Sequence, residues 1–204
     1  MAQKIKRLNE TPSQTAGPYV HIGCTPSFTG IDVYNNDLGD SMVNANTLGE
    51  RISITGTVVD GAGMVLRDTM VEIWQADAAG VHNSPQETRG VADPNFTGWG
   101  RSSGNAETGQ FRFDTIKPGR VASRDGRLFA PHITFWIVAR GINLGLHTRM
   151  YFAEEVEANA VDPILTRIEH QNRVPTLLAQ NDGKGSYRFD IILQGDNETI
   201  FFDI

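Results

Sequence analysis

The chain has 204 residues, 39% of them hydrophobic and 21% charged, with a formal net charge of −6. This is the balance of a folded globular domain rather than a disordered one, and its negative sign argues against a phosphate-binding surface, hence against nucleic acid as a partner. No apolar run is long enough to span a bilayer, no apolar segment follows the basic start, and the single cysteine, Cys24, has no internal disulfide partner. A cytoplasmic protein is expected, with no membrane contact.

The length suits one well-cored domain behind an arm: residues 1–21 as an N-terminal extended arm, residues 22–204 as a single domain. Thr11-Pro-Ser-Gln-Thr-Ala-Gly-Pro-Tyr19 holds two prolines and a glycine. These favour extended backbone over helix. From Ile22 to Gly49 there is no steady period, which predicts a long loop at a binding or assembly surface. Arg51 to Val59 reads as a strand with Ile52, Ile54 and Val58 on one face, and Asp60-Gly-Ala-Gly63 as the hairpin turn after it. Thr69 to Gln75 is the next strand, and Asp77 to Trp99 a second long excursion.

Gly109 to Ile116 alternates, placing Phe111 and Phe113 inward and Gln110, Arg112 and Asp114 outward. After the Lys117-Pro-Gly119 turn, Pro131 to Arg140 is a run of aromatic and β-branched residues, a buried strand. His147 to Phe152 resumes as a strand. Glu154 to Ala160 and Pro163 to Glu169 have helical content, with Glu154, Glu155 and Glu157 on a solvated face. Tyr187 to Gln194 and Thr199 to Asp203 close the chain as strands. The predicted fold class is all-β: a two-sheet antiparallel β-sandwich with long loops, an N-terminal arm and a few short peripheral helices.

Alternation along the buried strand puts His132 and Thr134 on the same face. A second histidine at 134 would make half of a metal site, and threonine stands there instead. His132 is therefore expected to be a hydrogen-bonded remnant in a vestigial cavity, His82 to be solvent-exposed in its loop, and His147 to be the one histidine that could approach His132. Trp74, Trp99 and Trp136 are read as packing residues and Cys24 as a small packed side chain.

Seven segments then recur in order: Thr11 to Tyr19, Val71-Glu-Ile-Trp-Gln-Ala-Asp77, Asp93-Pro-Asn-Phe96, Thr115-Ile-Lys-Pro-Gly119, Pro131-His-Ile133, Met150-Tyr-Phe152 and Tyr187-Arg-Phe-Asp190. Together they resemble the intradiol ring-cleavage dioxygenases, and within them the branch built from two homologous chains. The resemblance implies a β-sandwich and a non-haem ferric iron held by two tyrosines and two histidines. The implied reaction opens a catechol ring between its hydroxyl-bearing carbons with O2. Carried over by position, the four ligands fall on His82, Val121, His132 and Thr134. One ligand survives in kind, so no metal is expected in this chain.

The implied picture is a non-iron-binding α subunit, inactive alone, whose homologous β subunit binds Fe(3+) and cleaves protocatechuate (3,4-dihydroxybenzoate) to 3-carboxy-cis,cis-muconate. A higher-order αβ oligomer is implied as well. This chain contributes no catalytic residue; Thr15, Gly17, Pro18, Tyr19 and Arg140 match substrate-pocket residues, Arg140 facing the substrate carboxylate. Two readings stay open from the residues themselves. Tyr19 serves either substrate or a plain interface, and Arg140 either a substrate carboxylate or a structural salt bridge. In the second of each, the chain is a purely structural subunit.

Overall fold

The computed structural model describes residues 14–123, 125–143 and 145–203; Thr11, Pro12 and Ser13 of the proline-bearing segment lie outside the described residues. The strands are β1 (Arg51–Gly56), β2 (Val58–Val59), β3 (Met70–Trp74), β4 (Trp99–Ser102), β5 (Phe111–Ile116), β6 (His132–Val138), β7 (Leu146–Phe152), β8 (Leu178–Asn181), β9 (Ser186–Arg188) and β10 (Ile191–Ile192). Two short α-helices, α1 (Pro18–Cys24) and α2 (Val156–Ala160), and 3-10 turns at Pro26–Thr29, Leu165–Arg167 and Gln171–Leu177 lie outside the strands. No helix among the described residues is long and apolar enough to cross a membrane.

Eight strands form one sheet in the order β4-β3-β6-β7-β8-β9-β1-β5, and β10 pairs with β2. The sheet folds over itself. Phe111 and Phe113 on β5, at one end of the order, lie 6.0 and 6.3 Å ring to ring from Phe135 on β6, third from the other end. Ile133, Phe135 and Ile137 of β6 face this core fully buried, while His132, Thr134, Trp136 and Val138 alternate to the other side. A second, smaller core of Ala130, Tyr151, Ala158, Leu165 and Leu177 fills the space under α2. The β5 alternation follows the sequence expectation, Phe111 and Phe113 buried and Arg112 and Asp114 exposed.

The all-β, sandwich-like reading holds, with differences in detail. The sheet is mixed, because β1 with β9, β7 with β8, and β10 with β2 run parallel. The β7–β8 pair is reached by a crossover through α2 and the 3-10 turns at Leu165–Arg167 and Gln171–Leu177, the long connection that parallel neighbours require. The extended conformation expected through Tyr19 ends at Gly17, which has φ −126° and ψ −172°, and Pro18 opens α1. Proline's fixed φ suits a first turn, where its missing N–H costs nothing, so the residue that argued against helix starts one. This helix crosses the expected boundary between residues 21 and 22.

Tyr187 to Gln194 is two short strands, and at the break between them the Asp190 side chain accepts hydrogen bonds from Thr57 N (2.8 Å) and Thr57 Oγ1 (2.9 Å). Thr199 to Asp203 keeps one bridge, Phe202 to His147. The glutamates are less solvated than expected: Lys117 Nζ sits 2.9 Å from Glu154 and 2.6 Å from Glu155, and Tyr187 donates to Glu154 at 2.5 Å.

Candidate functional site

Of the four positions expected to correspond to metal ligands, His82 and Val121 line one cavity, and His132 and Thr134 lie on β6. Asp77 folds the loop that carries His82: its Oδ1 accepts from Ala79 N and Val81 N, each at 2.9 Å, and its backbone oxygen from Gly80 N and Gly119 N. Gly80 has φ +80°, and a Cβ there would stand 2.1 Å from the Arg120 carbonyl oxygen, so only glycine lets the two loops close. That closure brings His82 and Val121 together on a cavity of about 820 Å³, which Trp74, Glu87, Arg89 and Phe129 also line. Thr134 lies on β6 opposite Trp74, and His132 two residues earlier on the same face.

His82 is half-buried rather than exposed. Its Nδ1 meets Arg89 Nη2 at 3.1 Å and its ring stacks on Trp74 at 5.8 Å. Arg89 donates to Glu87 through Nε at 2.8 Å and through Nη2, and to the Ala122 carbonyl at 2.8 Å. These bonds hold the Glu87 carboxyl well below the usual carboxylate range. Burial, then the Arg89 charge, pushes the His82 pKa down, against a smaller upward pull from Glu87.

His132 is buried between Phe129 and Tyr151, with ring centroids 5.8 and 5.6 Å away, and its Nδ1 donates to the Ala130 carbonyl at 2.8 Å. Burial, with the Arg149 charge adding to it, pushes its pKa down to about 4. The imidazole is neutral at physiological pH. His147 stands opposite Trp136, while Tyr151 stands opposite His132. Four residues of strand, about 13 Å, separate those positions, so a His132–His147 pair does not form.

This donor set does not fit ferric iron. Val121 has no ligand atom, Thr134 offers a neutral hydroxyl, and a guanidinium occupies the Nδ1 side of His82. Among the described residues, no group of three His, Cys, Asp or Glu side chains could hold a metal ion.

The other matched residues meet elsewhere. Thr15 pairs with Asn143, and its hydroxyl donates to Ala139 O (3.2 Å) and accepts from Gly141 N (2.8 Å). Gly17, Pro18 and Arg140 share a cavity of about 340 Å³ with His21, Asp68 and Val138. Arg140 Nε lies 2.8 Å from Asp68 Oδ2, yet 75% of the arginine side chain remains exposed. His21 ties α1 to the same place, its Nε2 contacting the Asp68 backbone oxygen at 3.0 Å. Tyr19, 84% exposed, projects from the first turn of α1.

His132 begins β6 and Arg140 follows its end. The strand between them spans about 20 Å, farther than a side chain reaches. The arm cavity and the degenerate ligand positions are separate places at opposite ends of one strand.

The sequence matches the family described as Dioxygenase over residues 24–195. It is 43% identical over 202 residues, 98% of each chain, to a protocatechuate 3,4-dioxygenase alpha chain from Pseudomonas putida. The chain belongs to the intradiol ring-cleavage dioxygenase family. This intradiol family member is also 38% identical over 176 residues to a protocatechuate 3,4-dioxygenase beta chain from Burkholderia cepacia, covering 81% of the present chain and 74% of that one. Its fold resembles an intradiol ring-cleavage dioxygenase from Tetranychus urticae, at TM-score 0.58 and 20% identity over 81% of this chain and 92% of that one. A 3-chlorocatechol 1,2-dioxygenase from Rhodococcus opacus gives TM-score 0.57 at 21% identity, covering 76% and 65%.

Sequence reasoning missed Asp68, the ion partner of Arg140, and the Glu87–Arg89 pair beside His82. Arg89 lies seven residues from His82 in a loop without periodicity, and nothing in the sequence alone marks the two as neighbours.

Proposed function

We propose that this chain is the iron-free α subunit of a two-chain intradiol dioxygenase. A homologous β subunit holds Fe(3+), and the assembled enzyme cleaves protocatechuate with O2 to 3-carboxy-cis,cis-muconate in the cytoplasm. The chain alone is inactive, and the αβ pair assembles into a higher-order oligomer. The observation that carries this reading is the separation of Arg140 and the arm cavity from the degenerate ligand positions, with β6 between them. A ring placed to reach Arg140 lies beyond this chain's own His132. That separation supports a reactive centre supplied beside Arg140 by another chain.

The work left to this chain is binding and orientation. Arg140 gives its Nε edge to Asp68, which leaves the Nη1 and Nη2 edge for a substrate carboxylate. The guanidinium stays charged at any working pH, so the contact does not titrate away. Gly17 and Pro18, in the arm segment that ends at residue 21, line the adjoining wall, and the exposed Tyr19 ring follows them in the chain. Holding the ring in one orientation contributes to rate through proximity and alignment.

The Arg140–Asp68 ion pair also favours a second reading, a purely structural subunit in which Arg140 supports the interface alone. Replacement of Arg140 with Ala in the αβ complex separates the two. Loss of a charge-assisted contact worth about 1.5–3 kcal/mol raises KM for protocatechuate roughly 10- to 100-fold at unchanged iron content. Unchanged KM would leave the structural reading standing.

A further inference from the structure

Arg140 sits in a tight turn. Ile142 N donates to Ala139 O at 3.2 Å, Arg140 and Gly141 are the central residues, and Gly141 has φ +88°. Positive φ at the third residue of a turn is where glycine is needed, and the backbone N–H there has no partner within the turn. Thr15 supplies one. Its hydroxyl accepts from Gly141 N at 2.8 Å and donates to Ala139 O at 3.2 Å, bonding the residues on both sides of Arg140. The hydroxyl's proton and one of its lone pairs are thereby used within the chain, and Thr15 is absent from the lining of the arm cavity. The matched position that suggests substrate contact has its polar atom turned away to the backbone.

We infer that Thr15 is a positioning residue for the dioxygenase reaction. It bolts the N-terminal arm to the turn that carries Arg140 and so sets preference for a carboxylate-bearing catechol over an uncharged one. The inference rests on the reading of Arg140 as the carboxylate partner. Two features divide the task. Thr15 fixes the backbone of the turn, and Asp68, 2.8 Å from Arg140 Nε, fixes the direction of the head group. An arginine side chain 75% exposed on a freely moving turn would lose considerable rotamer and backbone freedom on binding. A pre-set one loses less, and the difference appears as affinity for the carboxylate. His21 closes the arrangement by joining α1 to the Asp68 backbone oxygen, so polar contacts link arm, turn and counter-ion.

The test uses the αβ complex with protocatechuate and with catechol, which lacks the carboxylate. Thr15→Val keeps the shape and removes both hydrogen bonds, while the backbone pairing of residue 15 with Asn143 still holds the arm in place. KM for protocatechuate should rise about 5- to 20-fold at unchanged kcat, with KM for catechol within about twofold of the parent. Thr15→Ser, which restores the hydroxyl, should recover the parent value. Arg140→Ala is run beside them. An unchanged protocatechuate-to-catechol KM ratio in Thr15→Val, with that ratio collapsed in Arg140→Ala, overturns the role of Thr15 and leaves Arg140 intact. A ratio unchanged in both sinks the reading of Arg140 itself. An equal rise for both substrates makes Thr15 a structural support only, which also overturns the inference.

Discussion

Replacing His132 with Phe should remove an acid sensitivity that the buried imidazole imposes on the fold. The ring is enclosed between Phe129 and Tyr151, and burial lowers its pKa from 6.5 to about 4. Above about pH 7 both folded and unfolded chains carry the neutral ring, so the shift contributes nothing. As pH falls through 6.5, the unfolded chain takes up a proton that the folded chain refuses, and stability is lost progressively until about pH 4. With the ring titrating near 6.5 unfolded and about 4 folded, roughly 2–3 kcal/mol is lost between about pH 7.5 and about pH 4.5. Denaturant unfolding of the parent and His132→Phe at both pH values gives the comparison, since every other titrating group cancels in the difference. The variant loses a hydrogen bond to Ala130 O and starts less stable, but its stability should fall by roughly 2–3 kcal/mol less over this interval. Parallel pH profiles for the two proteins would refute the claim that His132 is held neutral.

Two further substitutions probe how the degenerate cavity is supported. Asp162 is fully buried and accepts from Ala130 N (2.8 Å), Ile164 N (2.8 Å), Leu165 N (2.9 Å) and Tyr151 Oη (3.3 Å), tying the segment just before β6 to the 3-10 turn at Leu165–Arg167. Asp162→Asn leaves at least one of these donors unpaired and should cost about 2–4 kcal/mol, read as a lower denaturant midpoint at constant slope. Gly80→Ala drives a methyl group into the Arg120 carbonyl at positive φ and should cost about 2 kcal/mol or more; a midpoint within experimental error of the parent would show that the two loops do not close as described.

The strands were legible where side chains obey a period of two. Phe111 and Phe113 on β5, and Ile133, Phe135 and Ile137 on β6, announce their faces because one side of each strand meets the core. β4 was not legible: Trp99-Gly-Arg-Ser102 has no alternation, and it becomes a strand through pairing with β3. Nor was α1, because the same proline that disfavours helix before it favours helix after it. At the site, His82, Val121, His132 and Thr134 were singled out together only by the resemblance to the family, carried over position by position. What neutralises them was not. Arg89 reaches His82, and Asp68 reaches Arg140 across 72 residues of chain, only after the loops have closed. Such contacts come from tertiary folding and leave no local pattern.

The central claim is that this chain holds no iron and acts only beside a chain that does. Iron content and protocatechuate cleavage, measured for the chain alone and for the chain co-expressed with its β partner, test it most directly. The account predicts an iron-free, inactive chain and an active complex containing one ferric ion for each αβ pair. Stoichiometric metal and ring cleavage by the chain alone would contradict it, and would move the reactive centre to the region of His82 and His132.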